Sequence, residues 1–161
     1  MDILKISENT SVADIGAGSG WFSTRAAKRT VTGTVFAVEI NREYIEYIKK
    51  RAKKENLPNI KTILGMPSDP QLAANSVDSV MILKTYHEIA EPIALMKNVK
   101  KSLKNGGLVG IIDRNGSGDN HGLDMEKVVG EMKLAGFVLK DSYDFVKPDG
   151  MDYFLVFEIQ K

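Results

Sequence analysis

The chain has 161 residues, 43% of them hydrophobic, with 22 lysines and arginines against 21 aspartates and glutamates. That size suits a single domain spanning 1–161 with a core of its own, and the balanced charge argues against a dominant grip on nucleic acid or an anionic membrane. Zero cysteines exclude disulfides and thiolate chemistry, and two distant histidines argue against a structural metal site. No apolar run approaches the ~20 residues that span a bilayer. Met1 to Ile6 shows no secretory pattern, so the expected setting is the cytoplasm with no membrane partner.

In chain order, Met1 to Thr10 is a short lead that ends in turn chemistry at Asn9-Thr10-Ser11. Val12 to Ile15 has strand character and runs directly into Gly16, Gly18 and Gly20. Trp21 to Ala27 then opens a helix. Strand, glycine turn and helix bring a ligand against bare backbone and a helix N-terminus. The spacing here is G-x-G-x-G, whereas a dinucleotide site wants G-x-G-x-x-G. Asp14, two residues before the first glycine, would repel a pyrophosphate and welcome a cation. S-adenosylmethionine carries a sulfonium and an ammonium group and no phosphate. The run VADIGAGSG resembles motif I of the class I S-adenosylmethionine-dependent methyltransferases.

Downstream, Thr34 to Glu39 reads as a buried second strand ending in an acid about 20 residues past the glycine turn, where a carboxylate reaches ribose hydroxyls. The resemblance implies that role for Glu39; otherwise Glu39 simply flanks the next helix. Asn41 caps that helix, and Tyr44, Ile45, Ile48 and Ala52 share one face. Ile60 to Leu64 is a third strand, followed by Gly65-Met66-Pro67-Ser68-Asp69-Pro70. Relatives often place an acid directly after this glycine, near the adenine amino group. Here that position is Met66. Three readings stand: Asp69 substitutes, Met66 packs on the adenine face, or the loop has no such role.

Ser76 to Leu83 is a fourth strand that delivers Lys84-Thr85-Tyr86-His87-Glu88 at its carboxyl end. The Asn/Asp-Pro-Pro-aromatic motif of amino-methylating nucleic-acid enzymes is absent, and the YHEI form resembles small-molecule members. A helix from Pro92 to about Lys104 is expected to stop at Asn105-Gly106-Gly107. Leu108 to Asp113 is a fifth strand, and Arg114 to Gly122 a polar, glycine-rich loop. Leu123 to Ala135 reads as a helix. Strands from Phe137 to about Asp141 and from Asp152 to Gln160 should pair as an antiparallel hairpin across Lys147-Pro148-Asp149-Gly150.

The pattern is α/β. The resemblance implies a Rossmann-like three-layer sandwich whose seven-stranded, mostly parallel sheet ends in one antiparallel strand. It also implies methyl transfer from S-adenosylmethionine to a small-molecule acceptor by in-line displacement. Cofactor positions fall at Asp14, Gly16, Ala17, Gly18 and Gly20, at Glu39 and Ile40, and at Met66, Asp69 and Lys84, with no metal. A general base is needed only if the acceptor holds a proton. His87, Tyr86 and His121 are the catalytic candidates. Each also has a plain alternative: His87 as a cap, Tyr86 as core filler, His121 as a surface residue. Two further readings stand: a donor-binding protein inactive without a partner chain, and a nicotinamide-dependent oxidoreductase. The short lead before Val12 raises the expectation that the Arg114 to Gly122 loop, a second subunit, a partner chain or a longer native N-terminus closes the pocket.

Overall fold

The computed structural model describes residues 1–116, 122–146 and 151–160. One seven-stranded sheet organises them, in the order β3-β2-β1-β4-β5-β7-β6. The strands are β1 (Val12–Ile15), β2 (Val35–Glu39), β3 (Ile60–Leu64), β4 (Val77–Leu83), β5 (Leu103–Arg114), β6 (Phe137–Tyr143) and β7 (Asp152–Ile159). β1 pairs in parallel with both β2 and β4, while β7 inserts antiparallel between β5 and β6. The class read from the sequence is therefore the class observed. The turn at 147–150 lies outside the described residues.

Helices cover both faces. α1 (Trp21–Arg29), α2 (Arg42–Lys54) and the short turn Asp2–Leu4 lie on one face; α3 (Pro92–Ser102) and α4 (Met125–Leu134) lie on the other. The split follows the period of two along each strand. In β1, Val12 belongs to the same core cluster as Phe22 and Ala26 of α1, while Ala13 and Ile15 belong to the cluster on the other face with Met96, Val99 and Met132. Leu4 and Ile6 are buried in the α1-side core, so the N-terminal lead docks on the sheet.

Two local expectations need correction. α3 ends at Ser102, and its cap Leu103 is already extended (φ −74°, ψ 132°) because Leu103 pairs with Val77 of β4. Sheet pairing, not the glycines, stops that helix; Gly106 instead supplies a left-handed turn inside β5 (φ 78°). In α2, Asn41 caps as expected by accepting from the Glu43 N–H at 2.8 Å. Ile45, Ile48 and Ala52 are buried, but Tyr44 is exposed and belongs to a cavity wall.

Candidate functional site

In an open α/β sheet, the strand order reverses between β1 and β4, and the crevice beyond their carboxyl ends is the natural ligand position. A cavity of about 370 Å³ lies there. Ile15, Gly16 and Gly18 line it from β1 and the glycine turn, Val38 and Glu39 from β2, Ile40 from the residue after it, and Tyr44 from α2. Met66, Pro67 and Pro70 close one side, and Thr85, Glu88, Ile89, Ala90 and Leu95 the other.

The glycine turn is held by β2. Gly16 and Ala17 N–H groups both donate to the Val38 carbonyl, at 2.9 and 3.1 Å, and Gly18 N–H donates to Glu39 Oε2 at 2.9 Å. Glu39 Oε1 accepts from Ile40 and Asn41 N–H at 2.8 and 3.0 Å. The carboxylate is thus set by three backbone donors at the strand end. Gly16 sits at φ 70°, and a Cβ there would fall 2.3 Å from Thr85 Cγ2. Thr85 hydroxyl donates to the Gly16 carbonyl at 3.3 Å, joining β4 to the turn across the switch point. Gly18 also has positive φ (50°), but nothing lies within 4 Å of where its Cβ would be. Gly20, at φ 71°, is the N-cap of α1.

Asp14 is only 2% exposed and does not line the cavity. Ser23 hydroxyl donates to its Oδ2 at 2.5 Å. Burial raises its pKa to about 6, with a smaller push from the Glu39 charge, against the lowering effect of the Ser23 bonds. Met66 lines the cavity, whereas Asp69 does not; Asp69 Oδ1 accepts from Gln71 N–H at 2.7 Å and so holds its own loop. Ala17 is buried against Ala37 and Ile48. Lys84 also stands off the cavity wall: its backbone takes φ 56°, and its ammonium pairs with the buried Asp152 at the start of β7.

The catalytic candidates separate. His87 Nδ1 lies 2.9 Å from both Asp113 carboxylate oxygens, and His87 backbone N–H donates to Asp113 Oδ2 at 3.1 Å. Asp113, fully buried at the end of β5, also accepts from Arg114 N–H at 2.9 Å. His87 Nε2 is 3.7 Å from Glu88 Oε1, and Glu88 lines the cavity. Tyr86 fills core: it is 1% exposed and packs in the α3/α4-side cluster. Burial raises its phenol pKa, as does the Glu131 carboxylate its hydroxyl faces. Arg114 turns to the Met151 sulfur at 3.4 Å. Trp21 lies half-exposed under the Arg25 guanidinium, 3.7 Å from the ring centroid. His121, and most of the glycine-rich loop, lie outside the described residues.

Thr85, Glu88, Ile89 and Tyr44 were not singled out as site residues from sequence. Thr85 and Glu88 had one available signal, their place in the pentapeptide at the end of β4; Tyr44 had none, because its helical spacing is the same as that of its buried neighbours.

The methyltransferase-domain family matches residues 12–107, more than half of the chain. The chain belongs to this family. Its fold is that of the class I S-adenosylmethionine-dependent methyltransferases. A S-adenosylmethionine-dependent methyltransferase from Aquifex aeolicus superposes with a TM-score of 0.87 at 22% identity, covering 98% of this chain and 88% of that one. The complex between the Haloferax volcanii Trm112 methyltransferase activator and a methyltransferase gives 0.83 at 14% identity, covering 98% and 86%. A protein-L-isoaspartate O-methyltransferase of Pyrococcus horikoshii is 26% identical over 107 residues, 66% of this chain and 46% of the relative. The chain spans less than half the length of the curated relatives it matches. The methyltransferase domain has, among the described residues, no group of three or more potential metal ligands and no helix long and apolar enough to cross a membrane. The nicotinamide reading falls away with the family.

Proposed function

We propose that this domain transfers a methyl group from S-adenosylmethionine to a small-molecule acceptor. The observation that carries the reading is the Glu39 carboxylate, fixed by three backbone N–H groups at the edge of the switch-point cavity. Two features of the wall fit the donor. Gly18 leaves open space where any other residue would place a Cβ, and Ile40 and Met66 offer apolar flanks to a planar base. When bound, the donor supplies an electrophilic methyl on a sulfonium that leaves as a neutral thioether.

In this reading Glu39 takes the ribose hydroxyls, and Gly16 and Gly18 present bare backbone. Asp14 acts at longer range, its charge favouring the donor's ammonium through the turn or a bridging water. Lys84 and Ala17 hold the frame. His87 is the base, with Asp113 keeping the proton on Nδ1 and the lone pair on Nε2. The isoaspartate specificity named for the Pyrococcus relative is not carried over, because among the described residues no cation lines the cavity to receive a carboxylate.

A second reading keeps the donor site and adds a partner chain. The exposed apolar rim of Ile40, Tyr44 and Met66 at the cavity, together with the activator-bound Haloferax structure, favours it.

Calorimetric titration of S-adenosylmethionine against NAD tests the donor. Saturable binding of the first alone is expected, weakened at least about tenfold in Glu39→Ala, in line with ~1.5–3 kcal/mol for a charge-assisted contact. Equal donor affinity in folded Glu39→Ala protein would remove Glu39 from the site.

A further inference from the structure

The far wall of the cavity has a charge pattern that donor binding leaves unused. The ionisable groups lining it are Glu39, Glu88 and Tyr44; among the described residues no lysine, arginine or histidine does so. Glu39 is occupied by its three backbone donors. Glu88 is different. Its side chain is 70% exposed, and its approach to a cationic group is the 3.7 Å separation from His87 Nε2. A carboxylate or phosphate acceptor entering here would meet the Glu88 charge, with Glu39 on the other side of the cavity, and among the described residues no lining lysine, arginine or histidine to offset them. A cationic acceptor meets the opposite.

Behind Glu88 stands an arrangement suited to taking a proton. Asp113 is buried, and both its oxygens lie 2.9 Å from His87 Nδ1, so in the neutral ring that nitrogen carries the hydrogen and Nε2 the lone pair. Nε2 is turned to the Glu88 side, and the imidazole is 13% exposed. A carboxylate to hold a cation and a basic nitrogen 3.7 Å away form one constellation. It fits a group that arrives positively charged and must lose a proton before it can act as a nucleophile. Neutral hydroxyls need no such carboxylate.

We propose that the acceptor is a primary or secondary amine, held in its ammonium form by Glu88 and deprotonated at His87 Nε2. The inference rests on the methyltransferase reading above. Proton transfer from the ammonium to Nε2 frees the nitrogen lone pair and makes His87 an imidazolium between Asp113 and Glu88. The amine nitrogen then forms a bond to the methyl carbon as the carbon–sulfur bond breaks, its electron pair leaving on sulfur. The product is a methylated ammonium ion, and His87 returns its proton to solvent on the exposed Glu88 side.

The test has two arms. Calorimetry with S-adenosylmethionine comes first: absence of donor binding sinks the methyltransferase reading and this inference with it. With donor bound, labelled-methyl incorporation is measured for phenethylamine, spermidine, phenol and benzoate. Incorporation into the amines alone is expected. Glu88→Gln should raise the amine KM at least tenfold with donor affinity unchanged, and Glu88→Asp should recover part of the loss. Glu88 is exposed, so these variants should fold. Incorporation into phenol or benzoate in preference to the amines would overturn the proposal while leaving the methyltransferase reading standing. So would no incorporation into either amine by donor-bound protein, or an unchanged KM in Glu88→Gln.

Discussion

The two walls of the cavity are built by different means. The wall proposed for the donor is mostly main chain: the Gly16–Gly18 turn, the Val38 carbonyl and one carboxylate clasped by N–H groups. The opposite wall is made of side chains, Thr85, Glu88, Ile89 and Leu95 among them, and behind Glu88 stand His87 and Asp113, brought together from positions 26 residues apart. A main-chain site restricts residue type locally, because left-handed turns and close approach demand glycine. A side-chain site needs only that two strand ends coincide. Here β4 and β5 pair in the register Leu83↔Ile112, which sets Asp113, the next residue of β5, beside the segment that leaves β4. The donor wall should therefore fail through its backbone, and the opposite wall through its protons.

The largest expected effect separates the two. His87→Ala should lower kcat by about 10²–10⁴-fold, the usual worth of a general base, with donor affinity unchanged by calorimetry. Asp113→Asn should lower kcat as well, with a displaced pH–rate profile, because the imidazole loses the partner that sets its tautomer. A matching loss of donor affinity in His87→Ala would erase the distinction between the walls.

Next comes a contrast within the donor wall. Gly16→Ala combines a left-handed φ of 70° with a Cβ 2.3 Å from Thr85 Cγ2. Thermal denaturation should show a loss of about 2–4 kcal/mol from strain and overpacking together. Gly18→Ala meets no atom within 4 Å and carries only the backbone cost, about 1–2 kcal/mol. Its main effect should be weaker donor binding. Equal stability losses in the two variants would mean that the turn is not pinned by Thr85.

Asp14 sharpens the comparison through pH. Its pKa is raised by burial from 3.8 to about 6, so the folded state holds this proton more tightly than the unfolded chain. The contribution to stability is therefore full below the unfolded value, falls as pH rises through about 6, and stays low above it. At 1.36 kcal/mol per unit the cost at neutral pH is roughly 3 kcal/mol. Asp14→Asn should recover about 2–3 kcal/mol at pH 7 in denaturant melts, since its amide oxygen still accepts from Ser23. The same variant should bind donor more weakly, and wild-type affinity should decline as pH falls through about 6. A variant that is more stable and binds equally well would leave Asp14 a purely structural acid.

The smallest effect concerns Tyr86. Because it packs in the core off the cavity wall, Tyr86→Phe should leave kcat within about twofold and stability within ~1 kcal/mol. A kcat loss comparable to that of His87→Ala would place Tyr86 on the reaction path.

The α/β class was legible in the alternation of elements, and the seven-stranded architecture came with the family resemblance carried by the motifs. The alternation of strands and helices, the G-x-G-x-G turn after Val12 to Ile15 and the acid at Glu39 each follow from local demands on backbone angle, burial period or ligand charge. The limits of α3 did not, because Leu103 answers to Val77 across the sheet and not to the glycines that follow it. Nor did the function of individual polar residues. Lys84 and Glu88 occupy the same pentapeptide, yet one pairs with Asp152 on β7 and the other lines the cavity. Asp14 and Glu39 are both acids at neighbouring strand ends, yet one is buried against Ser23 and the other edges the crevice. Sequence determined which backbone could cradle a cationic donor, since a left-handed turn excludes most side chains at its own position. Tertiary structure decided which side chains line the cavity and which stand behind it, since strand register, not sequence distance, brings Asp113 to His87 beside Glu88.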